Sequence, residues 1–317
     1  MAGCGPVMSA YAENLSPIHL NAEMTRRAQD ALLLGLAHAG TQWVAVGEHG
    51  VILISEDEGR HWRQVASPTS VLLTAVSFAD PMHGWAVGHE GVIIATRDGG
   101  QTWVLQHAAE GADTHKGSPL LSVHALSNQV VEAVGAYGYV LRSQDGGATW
   151  SGLDSALVNP DQLHLNAMTA SAMDANSLFI AGEKGQIFHS ADAGLTWTKL
   201  NSPTDASIFG ISEPYPGALF VYGLGGQMYR SADEGLTWTV VSSGTTQGLN
   251  DIQGNRHKLV AVGNGGTVLV SDDGGQSFSH MTLPDRSALD AVQLDTQGNA
   301  LAAGAEGIHH ITLESKP

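Results

Sequence analysis

Val44–Trp62 reads VAVGEHGVILISEDEGRHW. Two apolar runs of strand length flank a Gly-x-x-Gly turn, and the second runs into Ser-x-Asp-x-Gly closed by an aromatic residue. Alternating apolar residues between such turn signals predict short strands. The same text returns as WAVGHEGVIIATRDGGQTW (85–103), EAVGAYGYVLRSQDGGATW (132–150), FIAGEKGQIFHSADAGLTW (179–197), FVYGLGGQMYRSADEGLTW (220–238) and VAVGNGGTVLVSDDGGQSF (260–278). A degraded copy, LAAGAEGIHHITLESKP, occupies 301–317.

The first glycines of the copies are Gly47, Gly88, Gly135, Gly182, Gly223, Gly263 and Gly304, spaced by 41, 47, 47, 41, 40 and 41 residues. A unit of that length holds four short strands, and seven such units predict an all-β, seven-bladed β-propeller. An open solenoid competes, but it needs polar caps and this chain ends inside a repeat. The seventh copy supplies a second strand (Ala300–Gly304) and a third (Ile308–Leu313) but no fourth. The segment around Leu15–Leu20 is the expected donor, closing the ring with an N-terminal strand and hiding exposed edges. The expected organisation is a tail over residues 1–14 and one propeller over 15–317.

Composition removes other classes. Lys and Arg number 14 against 31 Asp and Glu, a formal charge of −17, which repels nucleic acid and anionic membrane surfaces. The single Cys4 allows no internal disulfide and no Cys-based zinc site. No run of 18 apolar residues exists, so no direct membrane insertion is expected. With 43% hydrophobic and 14% charged residues the chain is not disordered. The 39 glycines are turn punctuation.

Asp57, Asp98, Asp145, Asp192, Asp233 and Asp273 occupy one repeat position, two residues before a glycine. An aspartate there caps its own turn through backbone N–H groups while glycine takes the left-handed conformation. A catalytic residue is needed once, whereas this one recurs six times, so these aspartates read as structural.

Ser/Thr-x-Asp-x-Gly-x-Thr-Trp resembles the Asp-box, or BNR repeat, of sialidases, xyloglucan hydrolases, sortilin-type receptors and photosystem II assembly factors. The denser Ala-Val-Gly-x-x-Gly-x-(apolar)₃-Ser-x-Asp-Gly-Gly-x-Thr-Trp pattern over roughly residues 30–313 is most similar to the photosystem II stability/assembly factor-like family, which has members in non-photosynthetic bacteria. That resemblance implies a non-catalytic scaffold or assembly factor whose partner is a membrane-protein complex. In bacterial members an RND-type transporter is the implied client. It also implies an arginine patch, and Arg142 and Arg230 share the position before the box serine, while Ile54, Ala95 and Val270 hold it elsewhere. The implied location is the periplasm or cell envelope, with the cytoplasm left open. Ala10-Tyr11-Ala12 and Ala2-Gly3-Cys4 read like the end of a truncated export signal.

The alternative is an Asp-box glycoside hydrolase or glycan-binding propeller. The chain has nine arginines, two of them before the first blade, and no Phe-Arg-Ile-Pro segment of the sialidase type. Glycoside hydrolysis needs two carboxylates about 5–10 Å apart, and Glu48, Glu90, Glu183 and Glu306 sit in equivalent turns around one ring. No cofactor is expected. No metal site is expected either, since His107, Asp113 and His115 share a loop without a metal-ligand spacing.

In a propeller, the turns between second and third strands share a face with the links between blades. That face is expected to carry Glu48, His49, His89, Glu90, Tyr137, Glu183, Lys184, Asn264 and Glu306, variable residues on a fixed glycine frame, as a partner-binding surface. Links from box aromatic to next glycine run 26, 32, 32, 26, 25 and 26 residues. The two long ones, near Leu105–Pro119 and Ser151–His164, should project over the same face beside blades 2, 3 and 4.

Overall fold

The computed structural model describes residues 16–111, 113–153 and 156–313. It is a seven-bladed propeller, six blades having four antiparallel strands and the seventh three among the described residues. Blade 1 shows the plan: Leu33–Ala39 innermost, then Gln42–Gly47, Ile52–Ser55 and Arg63–Val65 outermost. The other innermost strands are Leu73–Phe78, Leu120–Ala125, Leu165–Ala170, Ile208–Ser212, Leu249–Gly254 and Leu289–Leu294.

The second strand of blades 2–7, such as Leu178–Gly182 or Leu259–Gly263, is buried along its whole length, and in blade 1 only Gln42 at its start is part-exposed. Both its faces pack against neighbouring blades, so it reads as a continuous apolar run instead of an alternating one. Seven apolar clusters result, one at each border. Leu33, Trp43 and Leu53 of blade 1, for instance, pack on Ala291, Leu301 and Ala303 of blade 7.

Every innermost strand opens with a register shift in its pairing to the second strand. The residue displaced is Leu34, Thr74, Leu121, Asn166, Phe209, Asn250 or Asp290. A bulge re-aims a side chain, and the polar members join one blade to the next. Thr74 Oγ1 donates to Leu120 O (2.7 Å), Asn166 Nδ2 to Ile208 O (2.7 Å) and Asn250 Nδ2 to Leu289 O (2.9 Å). Ser122 Oγ accepts from Met168 N (3.2 Å), and Asp251 Oδ2 accepts from Val292 N (2.9 Å).

Ring closure differs from the expectation of an N-terminal strand. Leu15, the Ala10-Tyr11-Ala12 site and Cys4 lie outside the described residues. Pro17–His19 forms a 3₁₀ turn, not a strand. The segment is then tied to blade 1: Ser70 N donates to Pro17 O (3.0 Å), Ala22 N to Ser67 O (3.1 Å) and Thr25 N to Gln64 Oε1 (2.8 Å). Pro17 breaks a ladder, and these bonds lay the segment along blade 1 before Ala28–Asp30 reaches the border with blade 7. The blade 7–blade 1 border is closed by side chains, including His310 Nε2 on Gly59 O (2.9 Å), Gln293 Nε2 on Leu36 O (3.4 Å) and Thr296 with Glu58.

Candidate interaction face

Each turn between second and third strands in blades 1–6 is a three-residue 3₁₀ turn whose middle residue is left-handed. It is His49 (φ 52°), Glu90 (56°), Tyr137 (58°), Lys184 (50°), Gly225 (70°) or Gly265 (64°). The left-handed backbone aims those four side chains outward; His49, Tyr137 and Lys184 are exposed and Glu90 is half-buried. The incoming link lies directly against the turn: Glu48 N donates to Leu32 O and His89 N to Leu72 O, both at 2.9 Å. Turns and links therefore share one face, as the repeat arithmetic requires.

The first turn position has a different job. Glu48 Oε1 accepts from Leu32 N (3.0 Å), and Glu183 Oε2 accepts from His164 N (2.9 Å). These carboxylates clamp the link that enters their own blade and are half-buried. His89, Asn264 and Glu306 are exposed, Asn264 also accepting from Asn250 (3.2 Å). Glu306 belongs to a different turn from the rest. Gly304 pairs directly with Gly307, so Ala305-Glu306 is a two-residue hairpin and the third strand of blade 7 is set one residue out of the repeat register.

The two long links converge where expected, once the outer strands Val104–His107 and Ser151–Gly152 are separated from them. With Tyr137 (55% exposed) they enclose a pocket of about 410 Å³ edged by Thr114, His115, Ser118, Asn159 and Gln162. The His115 ring stacks on Tyr139 (4.1 Å, 9°), and the Tyr137 ring meets His164 edge-on at 4.8 Å. Asn159 is committed to its own loop, donating to Leu163 O (2.9 Å) and accepting from Leu163 N (3.1 Å). The pocket offers an aromatic platform, hydroxyls and the Gln162 amide.

The arginines are not on this face. Arg142 is 7% exposed, paired across strands with fully buried Glu132, and donates to Ala193 O of the blade 4 box. Arg230 is half-buried beside Tyr215 Oη (3.5 Å). Both point into blade borders because a third-strand residue one before the box serine faces the next blade's box. An exposed arginine patch is thus absent at these positions. Burial pushes the Glu132 carboxyl up to about 7, against the pull of the Arg142 guanidinium.

On the opposite face the boxes behave as capping turns. In blade 4, Ser190 Oγ donates to Asp192 Oδ1 (2.8 Å) and accepts from Gly194 N (2.8 Å). Asp192 then accepts from Thr196 N (2.8 Å) and Thr196 Oγ1 (2.7 Å). Trp197 Nε1 returns to Gly194 O (3.1 Å). The residue before the box glycine is left-handed too, at Glu58, Ala193 and Glu234.

A channel of about 770 Å³ runs along the innermost strands, without Lys or Arg among its described lining residues. Burial pushes the Asp251 and Asp290 carboxyls up to about 6 and lowers His124 to about 4. A carboxyl raised on folding holds its proton more tightly folded than unfolded. Its stabilisation is full below about pH 4 and is lost as pH rises through 6. The box aspartates are shifted the other way by the Thr and Ser hydrogen bonds, Asp192 and Asp273 to about 2, so their contribution is lost as pH falls below about 4. Thermal melts should therefore peak near pH 4–5 and decline on both sides. Asp290→Asn should flatten the decline towards pH 7 and leave the acid limb unchanged.

Seven repeats, six of them with a Ser/Thr–Asp turn capping one face, and links that crown the other face define an Asp-box β-propeller. The family profile described as "Photosynthesis system II assembly factor YCF48" matches residues 54–200 and 118–258, more than half of the chain, and the chain belongs to that family. Among curated relatives it is 38% identical over 105 residues to the photosystem II stability/assembly factor HCF136 of Cyanidioschyzon merolae, covering 31% of this chain and 23% of that protein. It is 35% identical over 71 residues to the photosystem II assembly protein Ycf48 of Thermosynechococcus vestitus, covering 21% and 20%. The matched stretches thus span under a quarter of those relatives' lengths. Among solved structures, YCF48 from Cyanidioschyzon merolae superposes with a TM-score of 0.68 at 17% identity, covering 91% of this chain and 97% of that one. "YCF48 bound to D1 peptide" gives 0.69 at 19% identity over 92% and 94%. The WD40 propeller of Doa1 gives 0.68 at 12% over 94% and 97%, which marks these superpositions as statements of fold.

Proposed function

We propose that the chain is a non-catalytic propeller that holds a membrane-protein complex, or its assembly intermediate, through the crown face beside blades 2–4. Family membership supports the assembly role, and a relative of the same fold has been captured with a peptide of D1. The observation that carries the placement is the convergence of both long links on exposed Tyr137. An exposed aromatic on a rigid turn is a typical anchor for a partner. The enzyme alternative loses two candidate carboxylates, because Glu48 and Glu183 are engaged with backbone amides. A transporter of RND type in the bacterial envelope is the client the family resemblance suggests.

The test is affinity capture from detergent-solubilised membranes. The wild-type chain should retain a membrane-protein complex, and Tyr137→Ala should weaken retention about tenfold or more, in keeping with loss of an aromatic anchor. A box-face variant such as Leu236→Ser should retain it fully. Recovery of no membrane protein by the wild-type chain overturns the reading.

A further inference from the structure

The third strand of blade 7, Gly307–Ile311, pairs with Ala300–Gly304 on its inner side and with no strand on its outer side among the described residues. In the other six blades that place is taken by a short outer strand. Register shows which groups are left over. Ile308 pairs with Ala303 as Ile187 pairs with Ala181 and Met228 with Tyr222. In those blades the carbonyls of Ile187 and Met228 accept from Leu200 N and Val241 N, each the residue immediately after the outer strand, both at 2.9 Å. Since alternate residues point the same way, the backbone groups of Ile308 and His310 face outward.

We infer that this edge receives one extended segment of the client, which completes blade 7 as an added fourth strand. The inference rests on the client-binding reading above and supplies a second contact for it. The described ends of this chain lead elsewhere. Ser16–Thr25 is tied to blade 1 through Ser70, Ser67 and Gln64, and Leu313 N turns inward to Asn299 Oδ1 (3.3 Å). A second copy is a poor occupant, because each chain carries −17 and a five-residue edge offers little of the roughly 1,200 Å² that stable interfaces bury. The outer strands already present define what fits. In blades 1 and 5 an aliphatic residue stands opposite the start of the third strand, Val65 over Ile52 and Val241 over Met228. Val65 and Val241 are buried while their strand neighbours are largely exposed. The donated segment is therefore extended, pairs antiparallel, and seats a Val or Leu over half-buried Ile308.

Amide hydrogen exchange on the intact protein tests the edge without any client. The N–H groups of Ile308 and His310 should exchange at least a hundredfold faster than those of Met228 and Arg230, their counterparts in blade 5. Equal protection would mean that the chain's own terminal residues fill the place, and would overturn the inference. A synthetic peptide with the sequence Thr237–Ser243 should then slow exchange at Ile308 and His310, and the same peptide with lysine in place of Val241 should not. His310→Pro removes the outward N–H and should abolish the effect, whereas His310→Ala should keep it; a retained melting transition shows that both variants fold. Protection by the peptide elsewhere than blade 7, or none at all, also overturns it. Since Tyr137 takes no part, failure here leaves the crown reading standing, and failure of the Tyr137→Ala capture leaves this edge to be judged by exchange alone.

Discussion

Gly185→Ala should destabilise the protein by about 4 kcal/mol or more, in the range reserved for backbone and packing faults that cannot relax. Gly185 closes the turn of blade 4 at φ +68°, and a Cβ there would overlap the carbonyl oxygen of Thr204 in the link that follows. Two costs combine: the left-handed strain of a residue with a side chain, and the displacement of backbone that is itself hydrogen-bonded. Gly225, in the turn of blade 5, provides the internal comparison. Its φ is +70°, but nothing stands within 4 Å of the added atom. Gly225→Ala should therefore cost only the conformational strain, about 1–2 kcal/mol. Blades 1–4 already carry His49, Glu90, Tyr137 and Lys184 at that position. Denaturant unfolding of the two variants measures the difference, and equal losses would refute the link contact as its cause.

Arg142→Ala should cost about 3–5 kcal/mol, the usual result of leaving one member of a buried pair without the other. Glu132 is fully buried, and a Cβ on Gly194 of the next blade would overlap its carboxylate. No water-filled space is left to receive an unpaired charge. Replacing both residues by leucine should recover most of the loss, since a buried pair is often no better than apolar groups of similar size. Other copies of the repeat already do this, with Val44 opposite Ile54 and Val260 opposite Val270. A single-variant loss below about 1 kcal/mol in denaturant unfolding would show the pair to be solvated and the border looser than described.

That pair also shows where sequence reading stopped short. Glu132 stands three residues before its turn glycine, where the other copies have Val44, Trp85, Phe179, Phe220, Val260 and Leu301. A lone acid in a run of apolar residues was a visible signal of a buried partner, and Arg142 is its cross-strand neighbour. Read from repeat position alone, Arg142 looked like surface. The blade count, the box turns and the face shared by turns and long links were all legible, because each depends on local spacing repeated many times. The closure of the ring was not. It depends on where Gln64 and Ser67 hold a non-repeating segment, and no period reports that. The slipped register of blade 7 was hidden for a related reason: removing one residue from a turn leaves the spelling of Gly-x-x-Gly intact while reversing which histidine faces which neighbour.

The seven apolar clusters and the side-chain staples make the blade 7–blade 1 border the same kind of contact as the other six. No strand is exchanged across it among the described residues. By its apolar cluster and its staples that border is a joint like the other six, and for this contact the order in which the ribosome delivers the blades is a convention of the gene more than a demand of the fold. Circular permutation at the short links between four-stranded blades, such as the one between blades 4 and 5, should therefore leave a ring whose borders still close.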